Sequence, residues 1–88
     1  MRYEVDVKEI VYLPAAQKAL LRMPGNTSAR IRIKIQAYAA DPGAQANNVK
    51  AMADGRSIRL RVGDWRVIMC DNEVLEVSEI GPRGSIYG

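Results

Sequence analysis

The chain has 88 residues, of which 48% are hydrophobic and 26% charged, the composition of a single globular domain over residues 1–88. This composition excludes a disordered tail, and no apolar run is long enough to span a membrane. The chain has no histidine, which excludes histidine-based zinc sites and Ser-His-Asp triads, and its single cysteine, Cys70, excludes an internal disulfide and fits a reducing cytoplasm.

Positive charge is concentrated in the middle of the chain. The net charge is only +3, but residues 22–66 hold nine basic and three acidic residues, whereas residues 67–79 hold four acidic residues and no basic one. Nine of the thirteen basic residues are arginine, whose guanidinium binds phosphate through two parallel hydrogen bonds. This distribution favours a polyanionic partner, although a solvated surface explains the charge alone about equally well.

The N-terminal segment predicts a strand followed by a helix. Residues 2–12 alternate apolar and charged side chains and are rich in β-favouring types, which indicates one strand, straight or bent. A first helix is predicted over 15–22, with Pro14 in its first turn and Pro24 beyond its end. No apolar segment of a signal peptide is expected here.

A second helix and a loop complete the first half of the chain. Asn26 and Thr27 are both good N-caps, and apolar residues then follow at helical spacing up to Asp41. The connection of about four residues predicts that the two helices pack as an antiparallel hairpin. Residues 42–55 are rich in Pro, Gly, Asn and Asp, which indicates a loop.

From residue 57 onward the hydrophobic period changes to two, which predicts three strands. They cover residues 57–62, 65–70 and 74–80 and are joined by a two-residue turn at Gly63-Asp64 and a turn that begins at Asp71. The predicted order is β-α-α-β-β-β, an α+β fold with the helical hairpin packed on one face of an antiparallel sheet.

The first of these hairpins predicts a patch of arginines. A two-residue turn pairs Val62 with Trp65 and therefore places Arg61 opposite Arg66. The face with the apolar side chains should pack under the helices, and the other face carries Ser57, Arg59, Arg61, Arg66, Ile68 and Cys70. Like charges opposed across strands are unfavourable, so the patch is best explained by a phosphodiester that binds there.

Two observations bear on how the patch is completed. A three-residue turn at 71–73 would place Glu76 beside the arginines and partly neutralise them, as in an ordinary solvated strand face. Arg83 follows the last strand, and Tyr87 lies four residues later, near a chain end that usually frays. If the end folds back, Tyr87 reaches a bound nucleotide; a tyrosine that closes the edge of the core explains it equally well.

The order of elements and several strings resemble the RelE/ParE toxin superfamily of bacterial toxin–antitoxin systems. The resemblance covers nearly the whole chain, and its most specific part is Arg-Leu-Arg-Val-Gly-Asp-Trp-Arg at 59–66. The other matching strings are Leu13-Pro14-Ala15-Ala16, Lys18-Ala19-Leu20, Met23-Pro24, Ala40-Asp41-Pro42, Val49-Lys50-Ala51-Met52, Ile80-Gly81-Pro82-Arg83 and Ile86-Tyr87.

The resemblance implies a function. RelE-like members are ribosome-dependent ribonucleases that cut mRNA in the decoding site, ParE-like members poison DNA gyrase, and a cognate antitoxin holds both inactive. The gyrase toxins generally lack the tyrosine that Tyr87 matches, so RNA cleavage without a metal or cofactor is favoured. A ParE-like gyrase inhibitor is the alternative, and a non-catalytic module that docks on an acidic antitoxin tail is a third class.

The resemblance also implies roles for individual residues. Arg66 with Arg61 or Arg59 would hold the scissile phosphate, Arg83 would stabilise developing charge, and Tyr87 would act as general base or orient the 2′-OH. Two positions depart from the family pattern: Ser57 stands where some members have lysine, and Pro82 where a basic residue precedes the arginine. The residues expected to contact ribosomal or messenger RNA are Arg30, Arg32, Lys34, Lys50, Arg56 and Ser57.

Overall fold

The computed structural model describes residues 7–84 as two helices packed on one face of a five-stranded mixed sheet. The helices are α1 (Pro14–Arg22) and α2 (Gly25–Ala40), followed by a 3₁₀ helix (Pro42–Asn48). The strands are β1 (Ile10–Tyr12), β2 (Val49–Ala51), β3 (Ser57–Val62), β4 (Trp65–Asp71) and β5 (Leu75–Pro82). Their order is β1-β5-β4-β3-β2, with β1 parallel to β5 and the other neighbours antiparallel.

The core lies between the helices and one face of the sheet, which confirms the predicted α+β class and helical hairpin. Both helices contribute apolar side chains at helical spacing, and β3, β4 and β5 contribute the alternate residues that were expected to face them. The fully buried side chains of greatest volume are Ile31, Ile35, Leu60, Val67, Met69, Leu75 and Val77. No helix within residues 7–84 is long and apolar enough to cross a membrane.

The second helix begins one or two residues earlier than its sequence indicated. Pro24 is the residue before the helix, with φ −56° and ψ 146°, and its carbonyl oxygen already accepts a hydrogen bond from the amide of Ser28 (3.0 Å). The side chain of Asn26 accepts instead from the amide of Thr27, inside the first turn. The connection between the helices is therefore only Met23 and Pro24, which reinforces their hairpin arrangement.

The prediction of a loop over 42–55 was wrong for its first ten residues. Asp41 caps a 3₁₀ helix by accepting from the amide of Ala44 (3.4 Å), and β2 follows and pairs with β3. Turn-forming residues suit a 3₁₀ helix as well as a loop, and a strand of three residues is too short for a period of two to be recognised. β1 is equally short among the described residues, whereas a strand over 2–12 was expected.

The pairing of the last two strands differs from the prediction because of a shifted turn and a β-bulge. The turn occupies 72–74, so Asp71 pairs with Leu75, and the register shifts between Ile68 and Met69. Beyond the bulge, Gly81 stands opposite Arg66. The bulge is stabilised by the Ser78 hydroxyl, which donates to the carbonyl oxygen of Ile68 (3.1 Å).

Candidate nucleic-acid interface

Four basic side chains on three adjacent strands share the sheet face that points away from the helices. The hairpin register is the predicted one, with Arg61 opposite Arg66 and Arg59 opposite Ile68. On the other side of β3, Lys50 of β2 stands opposite Arg59. Alternate residues of a strand share one face, so Arg59 and Arg61 lie on the same side. We call Lys50, Arg59, Arg61 and Arg66 the cationic cluster.

The cationic cluster lines a groove of about 270 Å³ that is open to solvent. Its remaining wall is formed by the end of the 3₁₀ helix and the start of β2, at residues 47–49. There the side-chain oxygen of Asn48 accepts a hydrogen bond from Nη2 of Arg61 (3.3 Å). The neutral amide orients this guanidinium without neutralising its charge.

Three members of the cationic cluster, Lys50, Arg61 and Arg66, have no acidic partner in the described part of the chain. Within residues 7–84, no carboxylate forms an ion pair with Lys50, Arg61 or Arg66; the ion pair observed there joins Lys8 and Asp71, at the opposite end of β4. The register explains this, because the turn at 72–74 pairs Glu76 with Cys70, and the bulge beyond it places Gly81 opposite Arg66. The expectation that Glu76 would lie beside the arginines was therefore wrong, and Gly81, without a side chain, stands beside Arg66.

Backbone carbonyls of the hairpin hold Arg66 in place. Its Nη1 atom donates to the carbonyl oxygens of Gly63 and Trp65, both at 3.0 Å. The amide of Arg83 donates to the carbonyl oxygen of Asp64 (2.7 Å), which places Arg83 at the same turn. The structure thus brings Lys50 and three of the predicted arginines together, with Arg83 at the turn beside them. Tyr87 lies outside the described residues.

Two predicted contact residues, Arg56 and Ser57, lie outside the cationic cluster and donate hydrogen bonds to Asp54. The amide and the hydroxyl of Ser57 both donate to Asp54, at 2.8 and 2.7 Å, and the amide of Arg56 donates to it as well (2.9 Å). These hydrogen bonds, the Ser57 amide first and the Arg56 amide next, lower the pKa of the Asp54 carboxyl to about 2. The Ser57 hydroxyl lies 3.6 Å from the thiol of Cys70.

The helical basic residues lie in the other layer of the molecule. Arg30 is exposed on α2, and its Nη2 atom lies 3.4 Å from where a side chain at position 63 would begin, so it reaches the hairpin turn from the helix side. Gly63 has φ +58°, which favours glycine in this turn. The guanidinium of Arg32 stacks over the ring of Tyr12, 5.6 Å from its centre, and Lys34 is half-buried further along α2.

The position of Lys50 in the cationic cluster does not follow from the sequence patterns. Because residues 49–51 were assigned to a loop, this lysine was expected only as a peripheral contact to RNA. The available signal was the alternation Val-Lys-Ala, in which a half-buried valine is followed by an exposed lysine. An alternation over only three residues is common by chance. The Val-Lys-Ala pattern therefore indicates a strand only once β3 is known to lie beside it and pair with it.

No family model and no curated protein matches the sequence. The structure is similar to that of RelE in the archaeal RelE–RelB complex from Pyrococcus horikoshii OT3, with a TM-score of 0.75, 23% identity and coverage of 91% of this chain and 99% of the other. It is also similar to a chain of the RelB–RelE complex from Methanococcus jannaschii (TM-score 0.68, 21% identity, 88% and 94% coverage). The isolated E. coli RelE toxin has a TM-score of 0.67 at 16% identity, with 91% and 90% coverage. The predicted resemblance is thus confirmed in the architecture, and this chain has the fold of the RelE toxins.

Proposed function

We propose that the protein is the toxin of a type II toxin–antitoxin system and cuts mRNA on the ribosome. The observation that carries this proposal is the cationic cluster, in which Arg61 and Arg66 are directly opposed without a carboxylate paired to either in the described part of the chain. Opposed like charges weaken a sheet, whereas a phosphodiester between them converts the repulsion into two charge-assisted hydrogen bonds. The fold shared with RelE toxins supports the same assignment.

The proposed reaction uses the nucleophile that RNA itself carries. The 2′-OH attacks the adjacent phosphorus, the bond to the 5′-oxygen breaks, and the products are a cyclic phosphate and a 5′-hydroxyl. Negative charge builds up on the phosphoryl oxygens in the pentacoordinate transition state. Arg66, held by two backbone carbonyls, and Arg61, held by Asn48, are oriented before the substrate arrives, so their guanidinium groups stabilise this charge with little reorganisation.

Arg83 and Tyr87 complete the proposed catalytic set. Arg83, anchored at the hairpin turn, stabilises charge on the 5′-oxygen side or donates its proton. Tyr87 takes the proton of the 2′-OH or orients that group. A tyrosine ordinarily titrates near pH 10, so a base role requires neighbouring cations to favour its ionised form. A weak base of this kind suits an enzyme that relies on the ribosome to align its substrate.

The partners follow from the charge of the surface. Lys50, Arg56 and the basic residues of α2 would contact RNA phosphates of the ribosome and the message. The neighbours from P. horikoshii and M. jannaschii were solved with a RelB partner. We propose that this chain has a cognate antitoxin and that both act in the cytoplasm. An acidic segment of that antitoxin would complement the charge of the cationic cluster.

The test is cleavage of mRNA on purified ribosomes, with 5′ ends mapped after incubation. Loss of one preorganised cation from a phosphoryl site typically lowers a rate about 10²- to 10³-fold. We expect losses of this order for Arg66→Gln and for Tyr87→Phe. Arg22→Gln, an exposed substitution on α1, is the matched control and should leave the rate unchanged.

The same preparations should be tested for inhibition of DNA supercoiling by gyrase. Intact mRNA on programmed ribosomes together with inhibited supercoiling would replace the proposed nuclease with a gyrase inhibitor. Cleavage that survives both Arg66→Gln and Tyr87→Phe would place the active site elsewhere on the protein.

A further inference from the structure

A second pocket lies beside the cationic cluster on the same face of the sheet. It has a volume of about 160 Å³ and is lined by Met52, Ala53, Asp54, Ser57 and Ile68. Ile68 is the direct cross-strand partner of Arg59, and Ser57 precedes Arg59 by two residues on the same strand face. The pocket therefore adjoins the cluster with no element between them.

The spacing of the two sites matches one nucleotide. Two residues along a strand advance about 6.6 Å, so the pocket begins about that distance from the Arg59 position. A ribose separates the phosphate of a nucleotide from its base over a distance of this order. A phosphate on the cationic cluster would thus place an attached base over the pocket.

The chemistry of the pocket suits the face and the edge of a base. Its floor is apolar, formed by Met52, Ala53 and the side chain of Ile68, which is only 4% exposed. Apolar floors of this kind take up the flat faces of unstacked bases in single-stranded RNA. One rim carries the exposed carboxylate of Asp54, which is ionised at neutral pH because the surrounding donors hold its pKa near 2.

On the basis of the proposed function, we propose that this pocket binds the base next to the phosphate held by the cationic cluster. We propose further that it selects a base with an exocyclic amino group over uracil. The selecting residue is Asp54, and the positioning residue that aims it is Ser57.

The selectivity follows from the hydrogen bonds that Asp54 already makes. A carboxylate accepts about four hydrogen bonds. Its Oδ1 atom accepts from the amides of Arg56 and Ser57, and its Oδ2 atom from the hydroxyl of Ser57. One acceptor position remains, on Oδ2. An amino N–H of adenine, cytosine or guanine fits it, whereas the only donor on the Watson–Crick edge of uracil lies between two carbonyl oxygens that a carboxylate repels.

The test is Asp54→Asn in the ribosome cleavage assay, with the base beside each cut recorded. The asparagine oxygen retains the bonds to the two amides, while its NH₂ group replaces the outer acceptor with a donor. We expect uracil to be depleted at this position in wild-type cuts and to rise at least threefold in the variant. Asp41→Asn is the matched control, because Asp41 is also an exposed carboxylate that accepts a hydrogen bond from a backbone amide but does not line the pocket.

The outcomes separate this inference from the proposed function. Cleavage by Asp54→Asn with the wild-type base distribution would overturn the base subsite and leave the nuclease intact. If wild-type protein does not cleave, a titration followed by the NMR signal of the Met52 methyl group decides the question without catalysis. A larger shift with cytidine 3′-phosphate than with uridine 3′-phosphate supports the subsite, and equal or absent shifts overturn it.

Discussion

Arg61 and Arg66 occupy positions at which a sequence selected only for stability would place something else. Directly opposed residues on antiparallel strands have their side chains about 5 Å apart at Cβ, and two like charges there repel. Asn48 and the carbonyl groups at the hairpin turn orient the two guanidinium groups without lowering their charge. The cost of this arrangement is measurable in the free protein.

We expect Arg61→Gln to raise the free energy of unfolding by about 0.2–1 kcal/mol, the range for a cross-strand pair. Urea is the suitable denaturant because it is uncharged, and the difference should shrink in 1 M salt, where the screening length is about 3 Å. Arg22→Gln serves as control, since Arg22 ends α1, where a cation is favourable, and its loss should lower stability slightly. A less stable Arg61→Gln at low salt would contradict repulsion between the two arginines.

The position of individual side chains could be predicted where local rules fix it. Gly63 and Asp64 form a two-residue turn, and from that turn the opposition of Arg61 and Arg66 follows by counting. The position of Glu76 depends on whether the turn occupies 71–73 or 72–74. The residue opposite Arg66 could not be predicted, because it depends on a bulge held by the Ser78 hydroxyl. A bulge changes the register by one residue and has no distinct pattern in a strand of this composition.

Asp71 links three elements at the end of the sheet far from the cationic cluster. The hydroxyl of Tyr38 on α2 donates to one of its oxygens (2.7 Å), and Lys8, just before β1, pairs with the other. Burial alone would raise the pKa of the Asp71 carboxyl, but the hydrogen bonds from Lys8 and Tyr38 outweigh it and lower the pKa. Burial, with the bond to Asp71, raises the pKa of Tyr38 to about 12.

These shifts predict the pH dependence of stability in two ranges. Tyr38 has its raised pKa only in the folded state. Its contribution to the free energy of unfolding is therefore complete below pH 10 and is lost as the pH rises from about 10 to 12. The Asp71 pKa is lowered in the folded state, so its contribution is complete above about pH 4 and is lost as the pH falls below that value.

Tyr38→Phe tests the alkaline range. At pH 7 the free energy of unfolding of the variant should be roughly 1.5–3 kcal/mol lower than that of the wild type, the contribution of a hydrogen bond to a charged group. This difference in the free energy of unfolding should become smaller above pH 10, and urea unfolding at several pH values measures it. Tyr12→Phe is the matched control, because burial raises the pKa of Tyr12 without a hydrogen bond to Asp71. At pH 7 this variant should lose less free energy of unfolding than Tyr38→Phe. A constant difference from pH 7 to 12 would show that the pKa of Tyr38 is not raised in the folded state.

The elements themselves could be predicted in proportion to their length. α2 and the β3–β4 hairpin carry long periodic patterns, and both were identified within two residues of their ends. β2 has three residues and depends on β3 for its hydrogen bonds, so its formation is a tertiary event that no local pattern contains. Lys50 entered the cationic cluster only through that strand, and for this reason its position in the candidate site could not be predicted.

At the scale of the whole molecule, basic side chains cover two opposite faces. Residues 10–40 contain five basic residues and no acidic one, and this segment forms both helices. The cationic cluster lies on the other side of the sheet. A ribosome offers phosphates on several sides of a small bound protein, so the cluster and α2 can contact RNA at the same time. The proposed function therefore gives the two faces different roles: the cationic cluster carries out the chemistry, and the basic residues of α2 bind the ribosome.

This division predicts how binding and cleavage separate. Neutralising Arg30 and Lys34 together, as Arg30→Gln with Lys34→Gln, should weaken ribosome binding and reduce the slope of log affinity against log salt by about two, because each cation neutralises one RNA phosphate. Arg61→Gln should instead lower the cleavage rate of bound mRNA more than it lowers affinity. Cosedimentation with ribosomes at several salt concentrations measures the slope, and single-turnover cleavage measures the rate. An unchanged slope in the double variant would mean that α2 faces solvent in the complex, because a cation that neutralises an RNA phosphate cannot be removed without releasing fewer counterions on binding.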